Sequence, residues 1–196
     1  MLMIEEHHIV RTRKLRRGPA EPSRGAPQFS EMLRYRIIAA ITRDSRGIGK
    51  DGVMPWPKLG ADMKHFRELT VGGVVIVGRV TFEKIGVLEN RLNVVLCRSR
   101  NEYRGENLIG ARSLEQAEML IGSRGFQVAN IIGGQSVYKT AFEVPRYSQR
   151  LHLTEIENSY ECDRFFPAFH DHQKIFESVQ HEENGIRFTF SEWEAR

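Results

Sequence analysis

Apolar residues along the chain alternate between two spacings, and each change of spacing marks an element. From Tyr35 the run YRIIAAIT is short and unbroken in apolar character, as a buried strand requires. GADMKHFRELT follows, with Leu59 just ahead of it. Its apolar residues at 59, 63, 66 and 69 have the spacing of one helix face. GVVIVG is a second strand and runs straight into RVTFEKIG, a short helix, and LNVVLCR is a third strand. SLEQAEMLIG is helical, with Ser113 as N-cap and Gln116 three residues on to complete a capping box. FQVANIIGG is a strand that ends in two glycines, and QSVYKTAFE continues as a helix. RLHLTEIE, KIFESVQHE and IRFTFSEWE are strand-like, the last two joined through Glu183-Asn184-Gly185. Asn-Gly between such runs is a hairpin signal. Strands alternating with helices, then a closing hairpin, predict an α/β sheet, mainly parallel with an antiparallel edge.

Composition narrows this picture without changing it. At 196 residues, 40% hydrophobic and 28% charged, the chain has the makeup of one ordinary globular domain. It has no run of about 18 apolar residues, so no membrane-spanning helix is expected. Cys97 and Cys162 are the only cysteines and have no C-x-x-C spacing. That usage points to a reducing compartment, the cytoplasm, without a disulfide framework or zinc site.

The net charge of +4 originates in residues 1–36, which hold eight Lys/Arg and four Glu. The remainder is balanced, so nucleic-acid binding by the body is not expected. RTRKLRRGPAEPSRGAP is basic and has no sustained apolar period. Residues 1–33 therefore read as a flexible extension ahead of a domain over 34–196. The extension lacks the apolar core of a secretory signal, and its four glutamates weaken a mitochondrial presequence. A solvated arm, a targeting segment and a contact for a partner or nucleic acid all remain open for it.

Two strand-to-helix junctions share one design. VVIVGRVTF turns at Gly78 into Arg79, Val80 and Thr81, and VANIIGGQSVY turns at Gly133-Gly134 into Gln135. Glycine admits close approach of a ligand, and unpaired N–H groups at a helix start favour anions, although many such turns use glycine for geometry alone. Two junctions at carboxyl ends of strands in one sheet fit a nucleotide-binding crevice. Arg98, after LNVVLC, falls on the same side as Arg79. The pair is either two solvated arginines or a fork-shaped site for a ribose 2′-phosphate.

Asp62 borders the apolar stripe of its helix, at i+4 from Phe66, i+7 from Leu69 and i−3 from Leu59. It is either a first-turn acid favoured by the helix dipole or a carboxylate held in a pocket. Thr154 faces away from Leu151 and Leu153 and could donate its hydroxyl to that carboxylate. Arg91, in GVLENRLNVV, is a loop cation or a clamp for a substrate carboxylate. His7-His8 and His170/His172 lack the ligand spacing of a metal site, and no metal is expected. Neither a nucleophile elbow nor a P-loop is present.

Together IIAAI (37–41), GIGKDGVMPW (47–56), Asp62 with Phe66, VGRVTF (77–82), Arg91, IIGGQSVY (131–138), LTEI (153–156) and CDRFFP (162–167) make the chain resemble dihydrofolate reductase, from about Tyr35 to Arg196. The resemblance implies a single α/β domain with a mainly parallel eight-stranded sheet, an antiparallel C-terminal edge hairpin and about four flanking helices. It implies NADPH-dependent reduction of dihydrofolate, hydride passing from nicotinamide C4 to pterin C6, by a monomer. Asp62 would hold the pterin with Thr154 orienting it, and Met54 and Trp56 would stand near the reacting ring. Ile38, Ala40, Phe66, Ile85, Leu88 and Ile132 would line the substrate pocket, and Arg91 would grip the glutamate tail.

Gly78, Arg79, Val80 and Thr81 would hold NADPH from one junction, and Gly133, Gly134, Gln135, Ser136, Val137 and Tyr138 from the other. Ala40, Ile48, Leu96, Cys97, Arg98 and Ile132 would complete the cofactor site, under a mobile lid over 47–56. Three positions depart from the family pattern: Gln135 replaces a small residue, Val80 a frequent basic one, and Phe82 a frequent Trp. Two rival readings differ in chemistry. One is a riboflavin-pathway reductase on the same fold, which has no need of the Met54-Pro55-Trp56, Asp62 and Thr154 set. The other is a nucleotide-binding regulator whose basic arm contacts RNA or a partner.

Overall fold

The computed structural model describes residues 33–98 and 103–196. The extension over 1–33 lies outside them apart from Leu33, as do His7 and His8. The chain runs β1 (Arg34–Thr42), β2 (Gly47–Gly49), α1 (Gly60–Thr70), β3 (Val74–Gly78), α2 (Arg79–Ile85) and β4 (Leu92–Leu96). It continues with β5 (Arg104–Gly105), β6 (Leu108–Ala111), α3 (Leu114–Gly122), β7 (Val128–Gly133) and α4 (Gln135–Phe142). After a 3-10 turn at Pro145–Tyr147 come β8 (Arg150–Ile156), β9 (Arg164–Phe165), β10 (His172–Glu177), β11 (His181–Glu183) and β12 (Ile186–Ala195).

The main sheet has the order β10-β12-β8-β1-β7-β3-β4-β6-β5, and β11 pairs with the free part of β12. From β8 to β6 all neighbours are parallel. β12 is antiparallel to β8 and carries β10 and β11 along its outer edge. The sheet has ten strands where eight are expected. The run KIFESVQHE supplies two of them, because β10 ends at Glu177 and β11 begins at His181. The two-residue β5 folds back on β6, and so short a segment has no readable period. β2 and β9 form a separate two-stranded ribbon.

Strand parity divides the core. Ile37, Ala39 and Ile41 join Ile76, Val94, Ile131 and Leu153 beneath α3 and α4, where Ala117, Ile121, Val137 and Ala141 cover them. On the opposite face Trp56, Leu59, Ile156 and Phe188 pack with Ala40 and Phe190, while Val77, Phe82 and Val95 form a third cluster. Burying each large aliphatic side chain contributes about 1.5–3 kcal/mol, so the doubly covered central strands anchor the fold.

Local chemistry explains the element ends. Ser113 Oγ accepts from Gln116 N at 3.2 Å, as a capping box requires. The return bond differs from the usual one: Gln116 Oε1 accepts from Arg112 N at 2.7 Å, one residue ahead of the cap. Asn184 and Gly185 have φ of 55° and 72°, the paired left-handed residues of a type I′ hairpin turn.

Candidate active site

Helix α1 turns inward a slightly different face from the one its apolar spacing predicts. Met63 is 39% exposed, so the inward face runs through Leu59, Asp62, Phe66 and Leu69. Asp62 thus faces the sheet. Thr154 Oγ1 donates to Asp62 Oδ1 at 2.6 Å. Thr154 pairs with Ala40 on one side and Phe190 on the other, so the carboxylate stands above a row of β1, β8 and β12 residues.

Burial pushes the Asp62 carboxyl above the ordinary carboxylate range, the Thr154 hydroxyl and His65 pull it down, and Glu183 adds to the rise. Burial wins. The pull from His65 is weak at neutral pH, because burial lowers that imidazole's own pKa and leaves it mostly uncharged.

Arg91 is 8% exposed. Its Nε donates to Glu89 O at 3.0 Å and its Nη1 to Thr70 Oγ1 at 2.9 Å, while the guanidinium lies 6.0 Å from the Phe66 ring centre. No carboxylate pairs with it among the described residues. Burial and the neighbouring Arg67 lower its pKa while Glu89 raises it, so an anion beside the guanidinium would be favoured. The surrounding loop is fixed by Asn93, which is 1% exposed. Its Oδ1 accepts from Leu88 N, and its Nδ2 donates to Leu88 O and Arg91 O. Sequence reasoning passes over Asn93; the available signal is a lone amide inside LNVVL.

The two glycine junctions meet. Val77 pairs with Gly133 and Gly78 with Leu96, which aligns β7, β3 and β4 at their carboxyl ends. A Cβ on Gly134 would lie 2.8 Å from Thr81 Oγ1, and one on Gly78 would lie 3.0 Å from Val137 Cγ2. Gly133 has φ of 112° and rests against the Tyr138 ring; the Gly133–Gly134 peptide is cis. Both helices start at a glycine with no side-chain cap, leaving first-turn N–H groups for an outside acceptor.

The remaining expected cofactor residues divide by exposure. Val80, Ser136 and Arg98 are exposed, Leu96, Ile48 and Ile132 are half-buried, and Cys97 and Val137 are buried. Arg79 Nη1 is engaged with both oxygens of Glu83, at 2.8 and 2.9 Å. Tyr138 is buried and donates its hydroxyl to Ile38 O at 2.8 Å, so it shapes the turn from beneath. Gln135 reaches sideways: its Oε1 accepts from Phe165 N on β9 at 2.9 Å.

Residues 47–56 begin as β2 against β9 and end in the second core cluster. Trp56 is 5% exposed and meets Tyr160 edge-on at 5.7 Å, whereas Met54 is 46% exposed. The end of α2 touches this segment, where Lys84 Nζ donates to Gly52 O at 2.8 Å. Ile85, next to Lys84, is 45% exposed. His172 is buried, with Nε2 2.6 Å from Ser148 O, a structural contact away from this site.

Residues 34–195 match the model of the dihydrofolate reductase family. The chain is 33% identical over 183 residues to the dihydrofolate reductase of Mus musculus, covering 81% of this chain and 96% of that one. It is 38% identical over 187 residues to the bifunctional dihydrofolate reductase-thymidylate synthase of Zea mays, covering 86% of this chain and 34% of the relative. The bifunctional protein of Glycine max is 35% identical over 176 residues, covering 80% and 33%. The chain thus spans about a third of the length of these plant relatives. On the matched span and these identities, the chain belongs to the dihydrofolate reductase family.

Proposed function

We propose that this protein reduces 7,8-dihydrofolate to 5,6,7,8-tetrahydrofolate with NADPH. The observation that carries the reading is the partly desolvated Asp62 carboxylate, oriented by Thr154 on the inward face of α1. Such a carboxylate suits a flat ring that presents an N–H and an amino group side by side. Asp62 accepts both from the pterin, at N3 and the 2-amino group, and Thr154, donating to Oδ1, keeps the carboxylate's direction fixed. Phe66, Leu88 and Ile85 supply apolar walls, and Arg91 receives the carboxylate of the glutamate tail.

The glycine junctions fit a dinucleotide diphosphate, since side chains at Gly78 and Gly134 would fill the approach. Arg98 and Arg79 suit its 2′-phosphate. NADPH, when bound, supplies a hydride from nicotinamide C4 to pterin C6. The chain's own contribution is alignment and field. Anionic Asp62 polarises the pterin and raises the basicity of N5, which takes its proton from water. Residues 47–56, held by Lys84, exclude bulk solvent during transfer and open for release.

A spectrophotometric assay of NADPH consumption with dihydrofolate, repeated with NADH, tests the reading. Turnover with NADPH well above that with NADH is expected. Folded protein that turns over neither would overturn it. The cytoplasm is the proposed compartment, supported by a usage of two cysteines in different segments without C-x-x-C spacing.

A further inference from the structure

Helix α1 begins without a cap of its own. Leu59 stands at the N-cap and provides no side-chain acceptor, so the first N–H groups need one from elsewhere. Glu183, the last residue of β11, supplies it across 123 positions of sequence. Its Oε1 accepts from Gly60 N at 2.6 Å and its Oε2 from Ala61 N at 3.1 Å. The neighbouring Asn184 Nδ2 donates to Lys58 O at 3.5 Å. Gly60 permits this approach, because a Cβ there would already lie 3.2 Å from Glu183 Oε1. The two N–H donors hold the Glu183 carboxyl below its ordinary range, so it is anionic at neutral pH.

The segment clamped in this way, 58–61, joins the end of the lid to the first turn of α1, and the next residue is Asp62. Asp62 is thus fixed from two sides: through its oxygen by Thr154 on β8, and through the preceding Gly60 and Ala61 N–H groups by the β11–β12 hairpin. The groups acting on its ionisation are few. His65 lies on its own helix, Glu183 comes from the hairpin, and Thr154 faces it from β8 as a neutral donor. Ala40 on β1 and Phe190 on β12, which flank Thr154, carry no charge.

We propose that Glu183 is a positioning residue for the pterin-anchoring carboxylate: it caps α1 from the far edge of the sheet, sets where Asp62 stands, and shapes the field in which Asp62 ionises. Its catalytic meaning rests on the reading of Asp62 given above. Its physical core does not, because the ionisation of Asp62 can be followed without turnover. Two negative charges in one neighbourhood make each harder to form, so the fixed anion favours the protonated state of Asp62.

The test is a pH titration of the Asp62 side-chain carboxyl by carbon-13 NMR in the full chain, for wild type, Glu183→Gln, Glu183→Asp and Glu183→Ala. Glu183→Gln keeps an oxygen acceptor and loses the charge, so the Asp62 midpoint moves to lower pH. Glu183→Asp keeps the charge, so its midpoint stays nearer wild type than that of Glu183→Gln. Loss of the cap in Glu183→Ala raises KM for dihydrofolate about fivefold or more, while Glu183→Gln raises it less. An unmoved midpoint in Glu183→Gln overturns the proposal, as do equal midpoints in Glu183→Gln and Glu183→Asp. Should Glu183→Ala fail to fold, the isosteric Glu183→Gln and the charge-keeping Glu183→Asp still decide. Wild-type protein without turnover would defeat the proposed activity and leave the titration result standing.

Discussion

Thr154 and Asp62 lie 92 positions apart in the chain and 2.6 Å apart in the fold, hydroxyl to carboxylate. Asp62→Asn preserves an acceptor for that hydroxyl and removes the buried charge. Turnover at neutral pH should fall at least about a hundredfold, read by NADPH absorbance, with NADPH affinity unchanged. Wild-type rate in this variant would remove Asp62 from the mechanism.

The same variant should be more stable than the parent. Burial raises the folded-state pKa of Asp62 above its ordinary 3.8, so between those values the native state binds more protons than the unfolded one. Stability therefore declines as pH rises through that window, and the cost persists above it. Asp62→Asn escapes the cost. Its Tm should exceed wild type at pH 7, and the gain should fade as pH falls toward 3.8. Calorimetry across pH checks both the sign and the window.

Arg91 is buried on Thr70 and the Glu89 carbonyl, and forms no direct ion pair among the described residues. Arg91→Lys keeps a charge and loses the planar fork. KM for dihydrofolate should rise about tenfold with kcat within about twofold, the signature of lost uniform binding. A pterin substrate lacking the glutamate tail should show no such change, and an equal loss for both substrates would deny Arg91 the tail.

Arg79 is held by Glu83 on an exposed helix face, where solvent screening leaves such pairs little weight in stability. Glu83→Gln should release Arg79 for a phosphate and lower KM for NADPH about two- to threefold. Arg98→Ala should narrow the preference for NADPH over NADH about tenfold. Steady-state assays with both nucleotides would report an unchanged ratio if neither arginine meets the 2′-phosphate.

Gly134→Ala places a methyl 2.8 Å from Thr81 Oγ1, closer than van der Waals contact permits. Either the Thr81 side chain turns away or the two junctions part to admit it. NADPH binding, followed by fluorescence titration, should weaken about tenfold or more. Binding at wild-type strength would mean that the junction spacing is irrelevant to the diphosphate.

Much of this arrangement is legible in the sequence where one local rule governs. Helix spacing finds α1 with its limits at Gly60 and Thr70, Asn184-Gly185 marks its turn, and Ser113 marks its cap. Legibility fails where the deciding contact is distant. Met63 fits the apolar spacing as well as Asp62 does not, yet Thr154 and the sheet draw Asp62 inward. Gln135 reads as a departure inside a phosphate turn, and only the fold reveals Phe165 as its partner. β2 and β9, at three and two residues, are too short to carry any period. Asn93 and Lys84 follow no rule of spacing at all; they matter because a loop carbonyl happens to lie opposite.

β1 precedes every other strand described, yet it lies inside the sheet. Its flanking strands β7 and β8 pair at Arg34↔Val128 and Ile37↔Leu151. On the ribosome it must wait for roughly ninety further residues, which at about 5–20 residues per second is several seconds without a neighbour. During that interval IIAAI is an unpaired, aggregation-prone edge. Arg34 and Arg36, which open the strand, are well placed as gatekeepers that keep nascent chains from associating. Replacing the exposed Arg34 with an apolar residue would burden biogenesis well before it touched the finished molecule, whereas Arg36 also donates to Asn130 Oδ1 and Leu69 O in the folded protein.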